Sequence, residues 1–303
     1  MEVYRTPEER FGDLPGFPYE PHYRDWEGMR LAHVDEGEGS PVLLLHGEPT
    51  WSYLYRKVIA RLLEAGHRCI APDLPGFGRS DKPVDDEWYS YDNHTRAVTS
   101  LLEELDLNDV TLVVQDWGGP IGLRVATLEQ PERIARLVAM DTGVFTGHQQ
   151  MSEGWKQFAA FVERTPDVPI RPLIVGACKH PPPEDVVAAY EAPFPDERSK
   201  AGPRTFPPMI PLEPSDPGAA KGQAVAEALL RDRRPSLLMW ADSDPALPLE
   251  PVGRQVQHLF PTADKLTVID DASHFLQEDQ GEQIGALIAD WLGTQARGSQ
   301  PSA

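Results

Sequence analysis

The stretch TLVVQDWGGPIGLRVATLEQ, residues 111–130, joins an apolar, strand-like run to a helical pattern through the short turn QDWGG. Pro120 suits the first turn of the helix, because the N–H that proline lacks has no partner there. Gly118 lies where a side chain would crowd the turn, whereas Val114 fills a position that is usually small in such turns. A strand, a strained turn and a helix form a nucleophile elbow, which presents a reactive side chain at the turn. The elbow predicts Asp116 as the nucleophile.

Short apolar runs alternate with helical patterns through most of the chain. This alternation is typical of a mostly parallel central sheet with helices on both faces. Right-handed crossovers place the carboxyl ends of such strands along one edge, where ligands bind. Together with the elbow, the alternation predicts the α/β-hydrolase fold. The predicted strands are Val42–Leu45, Arg68–Ala71, Val110–Val114, Ile134–Met140, Pro235–Trp240 and Lys265–Ile269, and the predicted helices are Tyr53–Ala65, Asn93–Leu105, Gly119–Glu129 and Gly281–Leu292.

Residues 143–218 interrupt this alternation, because they are rich in proline and contain no convincing strand. We predict that they form a helical cap inserted before the last two strands, on a core made of residues 1–142 and 219–303. A cap at this point covers the strand ends and closes the site from water. The polar tail from Thr294 is predicted to be disordered. A helical apolar stripe in the cap consists of Trp155, Phe158, Phe161 and Val162.

The composition excludes several classes of partner. A net charge of −20 argues against binding to nucleic acid or to an anionic membrane, because both require a basic surface. No signal-peptide pattern follows Met1 and no long uncharged apolar run occurs, so we expect a cytoplasmic protein. Cys69 and Cys178 show no spacing typical of a disulfide framework or a metal site. We expect no metal and no other cofactor. We expect a monomer.

Aspartate at position 116 determines the predicted chemistry. The chain has no G-x-S-x-G motif, so serine esterase chemistry is not expected. An aspartate side chain in water is ionised at pH 7, since its reference pKa is about 3.9. A carboxylate therefore needs no base to attack a saturated carbon, and the product of this attack is an alkyl ester on the enzyme.

Hydrolysis of such an ester requires a histidine base held by an acid. His274 follows the last predicted strand and precedes the final helix, so it lies at the same sheet edge as the nucleophile. The order nucleophile, acid, histidine is that of α/β-hydrolases. Three carboxylates compete for the acid position, and the usual loop position favours Asp244, while Asp242 could instead hold the turn. The third candidate is Asp141, after an earlier strand.

The loop LHGEPT, residues 45–50, follows another predicted strand. In hydrolases of this kind, this loop and the residue after the nucleophile each supply one oxyanion-hole N–H. The predicted donors are the amides of Glu48 and Trp117. The Glu48 side chain either positions the attacking water or stabilises the turn.

Four segments together resemble the haloalkane dehalogenases, particularly the subgroup with Glu after HG. A short HG-x-P or DWGG motif is shared with epoxide hydrolases, but the combination of HGEPTWSY, QDWGG and the cap segment YEAPFPDERSKAGPRTFPPM is specific. The resemblance covers nearly the whole chain, including RTPEERF near the start and YEAPFPDERSKAGPRTFPPM in the predicted cap. The four segments are HGEPTWSYLYRK, DLPGFGRSDKP, VVQDWGG and DASHFLQE.

This resemblance implies the hydrolysis of a small apolar halogenated substrate by water to a primary alcohol and halide. It implies Asp244 as the acid and places the halide between the indole N–H groups of Trp117 and Trp155. An indole N–H suits an anion in an apolar cavity, because it donates a hydrogen bond while remaining neutral. The residues implied to line the pocket are Phe158, Phe161, Phe206 and Pro207.

Three alternative functions remain to be weighed. An epoxide hydrolase shares the Asp–His–Asp machinery but protonates the opening ring, usually with two cap tyrosines, whereas Tyr190 is the only tyrosine between residues 143 and 218. A fluoroacetate dehalogenase carries Arg after the nucleophile, where this chain has Trp117. A ligand receptor of this fold has a degraded triad, whereas every required group is present here.

Overall fold

The computed structural model describes residues 1–298, and their main feature is an eight-stranded sheet. The strands are β1 (Val3–Tyr4), β2 (His22–Trp26), β3 (Met29–Glu36), β4 (Pro41–Leu45), β5 (Arg68–Pro72), β6 (Lys82–Pro83), β7 (Val110–Asp116), β8 (Ile134–Thr142), β9 (Ser236–Ala241) and β10 (Leu266–Ile269). Their order in the large sheet is β10-β9-β8-β7-β4-β5-β3-β2, and β1 pairs with β6 separately.

Ten α-helices accompany these strands within residues 1–298. They are α1 (Arg56–Glu64), α2 (Tyr91–Glu104), α3 (Gly118–Arg124), α4 (Glu153–Glu163), α5 (Ile170–Ala177), α6 (Glu184–Glu191), α7 (Ala201–Thr205), α8 (Ala219–Leu229), α9 (Arg254–Gln257) and α10 (Leu276–Gly298). Helices α4 to α7 all lie between β8 and β9, in the segment predicted as the cap.

The six predicted strands are all present and pair in parallel as neighbours, which confirms the predicted α/β-hydrolase fold. Strands β4, β7, β8 and β9 are all flanked by a strand on each side, and their side chains are buried along nearly their whole length. Burial on both faces explains why these strands read as continuous apolar runs. Their carboxyl ends consequently meet at one edge, below the inserted helices.

Two strands of the large sheet were not predicted. Strands β2 and β3 form an antiparallel pair, and β3 is also antiparallel to β5. The sequence of β2, HYRDW, places only Arg24 in a buried environment, because this strand forms the edge of the sheet. An edge strand of this kind lacks the apolar run on which the prediction of strands relied.

The last helix extends beyond its predicted end. Helix α10 continues to Gly298, so the first part of the tail predicted to be disordered is helical. The remainder of that prediction, residues 299–303, lies outside the described residues. No helix in residues 1–298 has the length and apolar character that a membrane-crossing segment requires. Cys69 and Cys178 are both buried and form no disulfide.

Candidate active site

The elbow forms as its sequence predicts. Asp116 ends β7 with a φ of +47°, in the left-handed region that non-glycine residues rarely adopt. Thr142 Oγ1, at the end of the neighbouring strand β8, donates a 2.6 Å hydrogen bond to the Asp116 carbonyl. A Cβ on Gly118 would lie 2.2 Å from the carbonyl oxygen of Leu45. Only glycine at position 118 therefore allows α3 to start this close to strand β4.

Val114, which is larger than the usual residue at its position, is accommodated by the helix that follows. A Cβ on Gly122 would lie 2.7 Å from Val114 Cγ1. The methyl groups of Val114 thus occupy the space that a side chain on α3 would otherwise take, and the elbow keeps its geometry.

The loop after β4 closes over the nucleophile. The backbone amide of Glu48 donates a 2.8 Å hydrogen bond to Asp116 Oδ1. This approach requires glycine at position 47, because a Cβ there would lie 2.0 Å from the same oxygen. The Glu48 amide is thus where the oxyanion-hole prediction puts it, while the amide of Trp117 as second donor stays a prediction.

His274 lies between two aspartates. Its Nε2 is 3.5 Å from Asp116 Oδ2, and its Nδ1 is 2.8 Å from Asp244 Oδ2. Asp244 follows β9, and its other oxygen accepts hydrogen bonds from the amides of Ala246 and Leu247 at 2.7 and 2.9 Å. These bonds fix the Asp244 carboxylate, which in turn orients the imidazole with Nε2 toward the nucleophile.

The other two acid candidates have different surroundings. Asp242 is exposed and accepts hydrogen bonds from the amides of Asp271 and Ala272, so it holds the turn near the histidine loop. Asp141 is fully buried, and its Oδ1 accepts a 2.9 Å hydrogen bond from the amide of Ala241. Neither side chain contacts His274 as Asp244 does, so the geometry favours Asp244 among the three.

Gln115, which was not predicted as a site residue, holds the backbone of the catalytic histidine. Gln115, which precedes the nucleophile, donates a 3.0 Å hydrogen bond from Nε2 to the carbonyl of His274. The next amide, that of Phe275, donates to the carbonyl of Ala177 at the end of α5. The position of Gln115 beside the nucleophile was the available signal. The histidine loop is therefore attached both to the elbow and to the inserted helices.

Burial and neighbouring charges shift the pKa values of His274, Asp244 and Glu48 in different ways. Burial opposes charge on His274, but the charges of Asp244 and Asp116 outweigh it and hold the pKa of the imidazole well above its ordinary value. Burial also disfavours charge on Asp244, yet His274 and the two backbone amides keep the pKa of that carboxyl below its ordinary value. For Glu48, burial and the neighbouring charge of Asp116 both raise the pKa well above its ordinary value. The Glu48 carboxyl is accordingly stabilised in its neutral form.

A cavity of about 220 Å³ opens above Asp116. Its walls are mostly apolar and come from the strand ends and from the inserted helices α4 and α5. Several lining residues were not predicted, among them Phe145 and the α5 residues Leu173 and Ala177, which share one helix face. The full lining consists of Glu48, Pro49, Asp116, Trp117, Phe145, Gly154, Trp155, Phe158, Pro172, Leu173, Gly176, Ala177, Pro207, Ile210, Pro245, Ala246, Leu247, His274 and Phe275.

Both tryptophans expected to bind halide line this cavity. Neither indole N–H forms a hydrogen bond with any residue within the part of the chain that the structure describes. Ser152 caps α4 by accepting from the amide of Trp155 at 3.0 Å, and its hydroxyl donates to the carbonyl of Ala246 at 2.6 Å. The start of α4 is thereby attached to the loop that carries Asp244.

Two of the four predicted pocket residues line the cavity and two do not. Phe158 and Pro207 contribute to its wall. Phe161 is not part of the lining and is 37% exposed, because it lies on the outer side of α4. Phe206 is fully buried and packs edge-on against Trp117, with ring centroids 5.2 Å apart. Phe206 therefore supports an indole rather than the substrate.

One cluster of possible metal ligands occurs among the described residues. Asp141, Asp244 and His274 each offer one ligand atom, and these atoms lie within 4.8 Å of one another. His274 Nδ1 already forms its 2.8 Å contact with Asp244. A metal would have to displace this contact, so the donor set fits a histidine and its acid better than a metal site.

Comparisons with known proteins identify the family. A family model for the alpha/beta hydrolase fold matches residues 40–280. The haloalkane dehalogenase of Psychrobacter cryohalolentis is 42% identical over 302 residues, covering 96% of this chain and 98% of that protein. Haloalkane dehalogenase 1 of Mycobacterium bovis is 44% identical over 298 residues, covering 96% of this chain and 99% of that protein.

A solved structure extends the likeness to three dimensions. The tetrameric structure of haloalkane dehalogenase DpaA from Paraglaciecola agarilytica NO2 matches with a TM-score of 0.88 and 37% sequence identity, covering 96% of this chain and 97% of that chain. The fold, the nearly complete coverage and the sequence identity to these relatives all indicate the same family. This chain belongs to the haloalkane dehalogenase family, hydrolases of the α/β-hydrolase fold that act on carbon–halide bonds.

Proposed function

We propose that this enzyme hydrolyses haloalkanes to a primary alcohol and a halide through a covalent alkyl ester on Asp116. The observation that carries the proposal is the position of His274, 3.5 Å from Asp116 and 2.8 Å from Asp244, beside a mostly apolar cavity. A carboxylate nucleophile, a base held by an acid and an apolar pocket are the features that this chemistry requires.

In the first half of the reaction, Asp116 displaces the halide. The Glu48 amide engages Oδ1 at 2.8 Å, which leaves Oδ2 to attack the carbon that carries the halogen. The new carbon–oxygen bond forms as the carbon–halogen bond breaks, and the halide leaves with the bonding electron pair. The unpaired indole N–H groups of Trp117 and Trp155 receive the halide, because they are neutral donors in an apolar cavity.

In the second half, water cleaves the ester. His274 removes a proton from water, which attacks the ester carbonyl carbon, and the alcohol leaves with a proton returned by the imidazole. Ester formation neutralises Asp116, which is one of the charges that raise the pKa of His274. The pKa of the imidazole therefore falls when the intermediate forms, so that more of it is in the neutral form that a base requires.

An epoxide hydrolase would use the same aspartate and histidine but needs an acidic donor in the cavity. Tyr190 is fully buried and donates a 2.8 Å hydrogen bond to Glu278, away from the cavity wall. No tyrosine occurs among the residues described as lining the cavity. Lysine and arginine are absent from the same lining, which also disfavours a substrate with a carboxylate.

A halide-release assay tests the proposed function. Purified protein should release halide from chlorinated, brominated or iodinated alkanes, and styrene oxide serves as the epoxide control. Turnover of styrene oxide without halide release from any alkane would support the epoxide hydrolase instead. Binding of haloalkanes without turnover, measured by calorimetry, would support a receptor.

Replacement of the acid should separate Asp244 from its competitors. We expect Asp244→Asn to lower turnover on the order of 10³ to 10⁴-fold, because an amide no longer fixes the imidazole tautomer. Asp242→Asn should remain within about tenfold of wild type, the typical cost of one lost hydrogen bond. Asp141→Asn should remain within about threefold, because an asparagine oxygen still accepts the amide of Ala241. Steady-state halide release compares the three variants. A greater loss in Asp141→Asn would assign the acid to β8.

The second indole can be tested through halide binding. Trp155→Phe keeps an aromatic ring but removes the N–H, so we expect bromide to bind about tenfold more weakly, the effect of one hydrogen bond to an ion. Isothermal calorimetry with bromide measures the change. Trp291→Phe, in α10 and outside the cavity lining, is the matched control. Equal affinity in Trp155→Phe and wild type would remove Trp155 from the halide site.

Three coarser assignments accompany this proposal. We assign residues 143–218 as the cap, supported by α4 and α5 lining the cavity and by α8 packing against α3 in the core. A net charge of −20 opposes self-association and supports a monomer, although the solved relative is described as a tetramer. The molar mass measured by light scattering decides between them. The two free cysteines agree with a cytoplasmic location.

A further inference from the structure

Asp141 is a buried carboxyl that the mechanism above does not use. It follows the part of β8 that pairs with β9, has a φ of +29°, and lies close to Asp244 and the catalytic histidine. Oδ1 accepts the amide of Ala241, but Oδ2 has no hydrogen-bond partner in the described structure although it is buried. A buried polar atom without a partner requires an explanation.

The nearest ionisable groups explain it. Asp141, Asp244 and His274 each have an oxygen or nitrogen within a cluster of 4.8 Å, and all three are buried. Asp244 accepts from three donors, namely His274 and the amides of Ala246 and Leu247. Asp141 accepts from one. A negative charge is therefore far better supported on Asp244 than on Asp141.

Counting charges leads to the same result. Four carboxyls, those of Asp116, Asp244, Asp141 and Glu48, lie at or behind the cavity wall, and His274 is the one cationic side chain that contacts them in the described residues. Two adjacent buried carboxyls do not both ionise, because like charges repel strongly where water is excluded. Burial and the charge of Asp244 both raise the pKa of Asp141 well above its ordinary value.

We propose that Asp141 is a positioning residue that keeps its proton and donates a hydrogen bond from Oδ2 to the Asp244 carboxylate. The two acids together then carry a single negative charge behind His274, and this charge lies on Asp244. This inference rests on the proposed function, because it assigns a role within the ester-hydrolysing half. The Asp141 hydroxyl holds Asp244 in place and leaves its charge free to stabilise the imidazolium that forms when His274 takes the proton of water.

The proposal distinguishes between two replacements of the same side chain. Asn at position 141 retains a neutral donor and tolerates a positive φ, so Asp141→Asn should turn over within about threefold of wild type. Asp141→Ala removes the donor, and steady-state turnover should fall about tenfold, as expected for one hydrogen bond to a charged group. The initial burst of halide should be unchanged in both variants, because displacement by Asp116 does not use Asp244. A purely structural defect would lower the burst as well.

A double-mutant cycle tests whether Asp141 and Asp244 share a charge, and it does not depend on the alanine variant folding. In Asp244→Asn, Asp141 becomes the only carboxyl behind His274 and can ionise in its place. Adding Asp141→Asn should then cost at least about tenfold more, whereas it costs little in wild type. Asp264→Asn, an exposed carboxyl before β10, is the matched control in both backgrounds.

The outcomes are distinct. The same small factor for Asp141→Asn in both backgrounds would overturn the inference, because it would mean that the two acids do not interact. A loss in the single variant Asp141→Asn as large as that of Asp244→Asn would also overturn it, since Asp141 would then act as an ion. Failure of wild-type enzyme to release halide from any alkane would reject the proposed function itself. The wild-type assay is therefore carried out before any variant is compared.

Discussion

Asp116→Ala is expected to abolish turnover, with a loss on the order of 10⁴-fold or more, as for the removal of other catalytic nucleophiles. Asp116 is the only carboxylate on the elbow, and the Glu48 amide and His274 both point at it, at 2.8 and 3.5 Å. No other ionised oxygen holds this position. Halide release measured at high enzyme concentration gives the residual rate.

The control for this variant is another aspartate. Asp264→Ala removes an exposed carboxyl at the amino end of β10, opposite the sheet edge that carries the site, and should turn over like wild type. Thermal unfolding of both variants checks that each is folded. Appreciable dehalogenation by folded Asp116→Ala would contradict the assignment of the nucleophile.

His274→Ala is expected to separate the two halves of the reaction. Displacement needs only the carboxylate of Asp116, whereas hydrolysis needs the base that contacts it. The variant should release about one halide per active site and then stop, a burst without turnover. Rapid-quench measurement of halide gives the burst, and mass spectrometry should find the alkyl group on the peptide that contains Asp116.

A matched variant tests whether the stall is specific to the base. His180 also lies near the histidine loop and contacts Asp271, but it is exposed and does not line the cavity. His180→Ala should therefore turn over like wild type. Continued turnover by His274→Ala would mean that His274 is not the base for ester hydrolysis. A burst that is absent altogether would mean that His274 acts in the first half of the reaction.

The middle of the fold could be predicted from the sequence because local chemistry determines it. Strands buried on both faces must be apolar, and the elbow needs glycine at position 118 beside the Leu45 carbonyl. Strand β2 was missed because most of its residues are exposed or only partly buried at the sheet edge, and β3 because charged residues and a histidine interrupt its apolar pattern. Edge strands are held by hydrogen bonds to a neighbour, which a local pattern does not reveal.

The site was predictable to the extent that its residues follow strand ends. Asp116 ends strand β7 and His274 follows strand β10, and parallel strands bring such ends together. The acid could not be chosen by order alone, because Asp141 lies at the end of β8 and Asp244 follows β9 at the same edge. The number of hydrogen-bond donors around each, three against one, distinguishes them only in three dimensions.

The pocket wall was the least predictable part. Phe158 and Phe161 lie three residues apart on α4, yet only the first faces the cavity. Which face of a cap helix turns inward depends on its packing against the core. This packing includes the Ser152 hydroxyl bonded to the Ala246 carbonyl, a contact between residues far apart in the sequence.

The source of the oxygen in the alcohol tests the central claim most directly. In a single turnover of wild-type enzyme in heavy-oxygen water, the alcohol should carry ordinary oxygen taken from Asp116, because water attacks the carbonyl carbon of the ester. The heavy isotope should appear in the peptide that contains Asp116, and in the alcohol only in later turnovers. Heavy oxygen in the first alcohol would contradict the covalent mechanism, since water would then have displaced the halide directly.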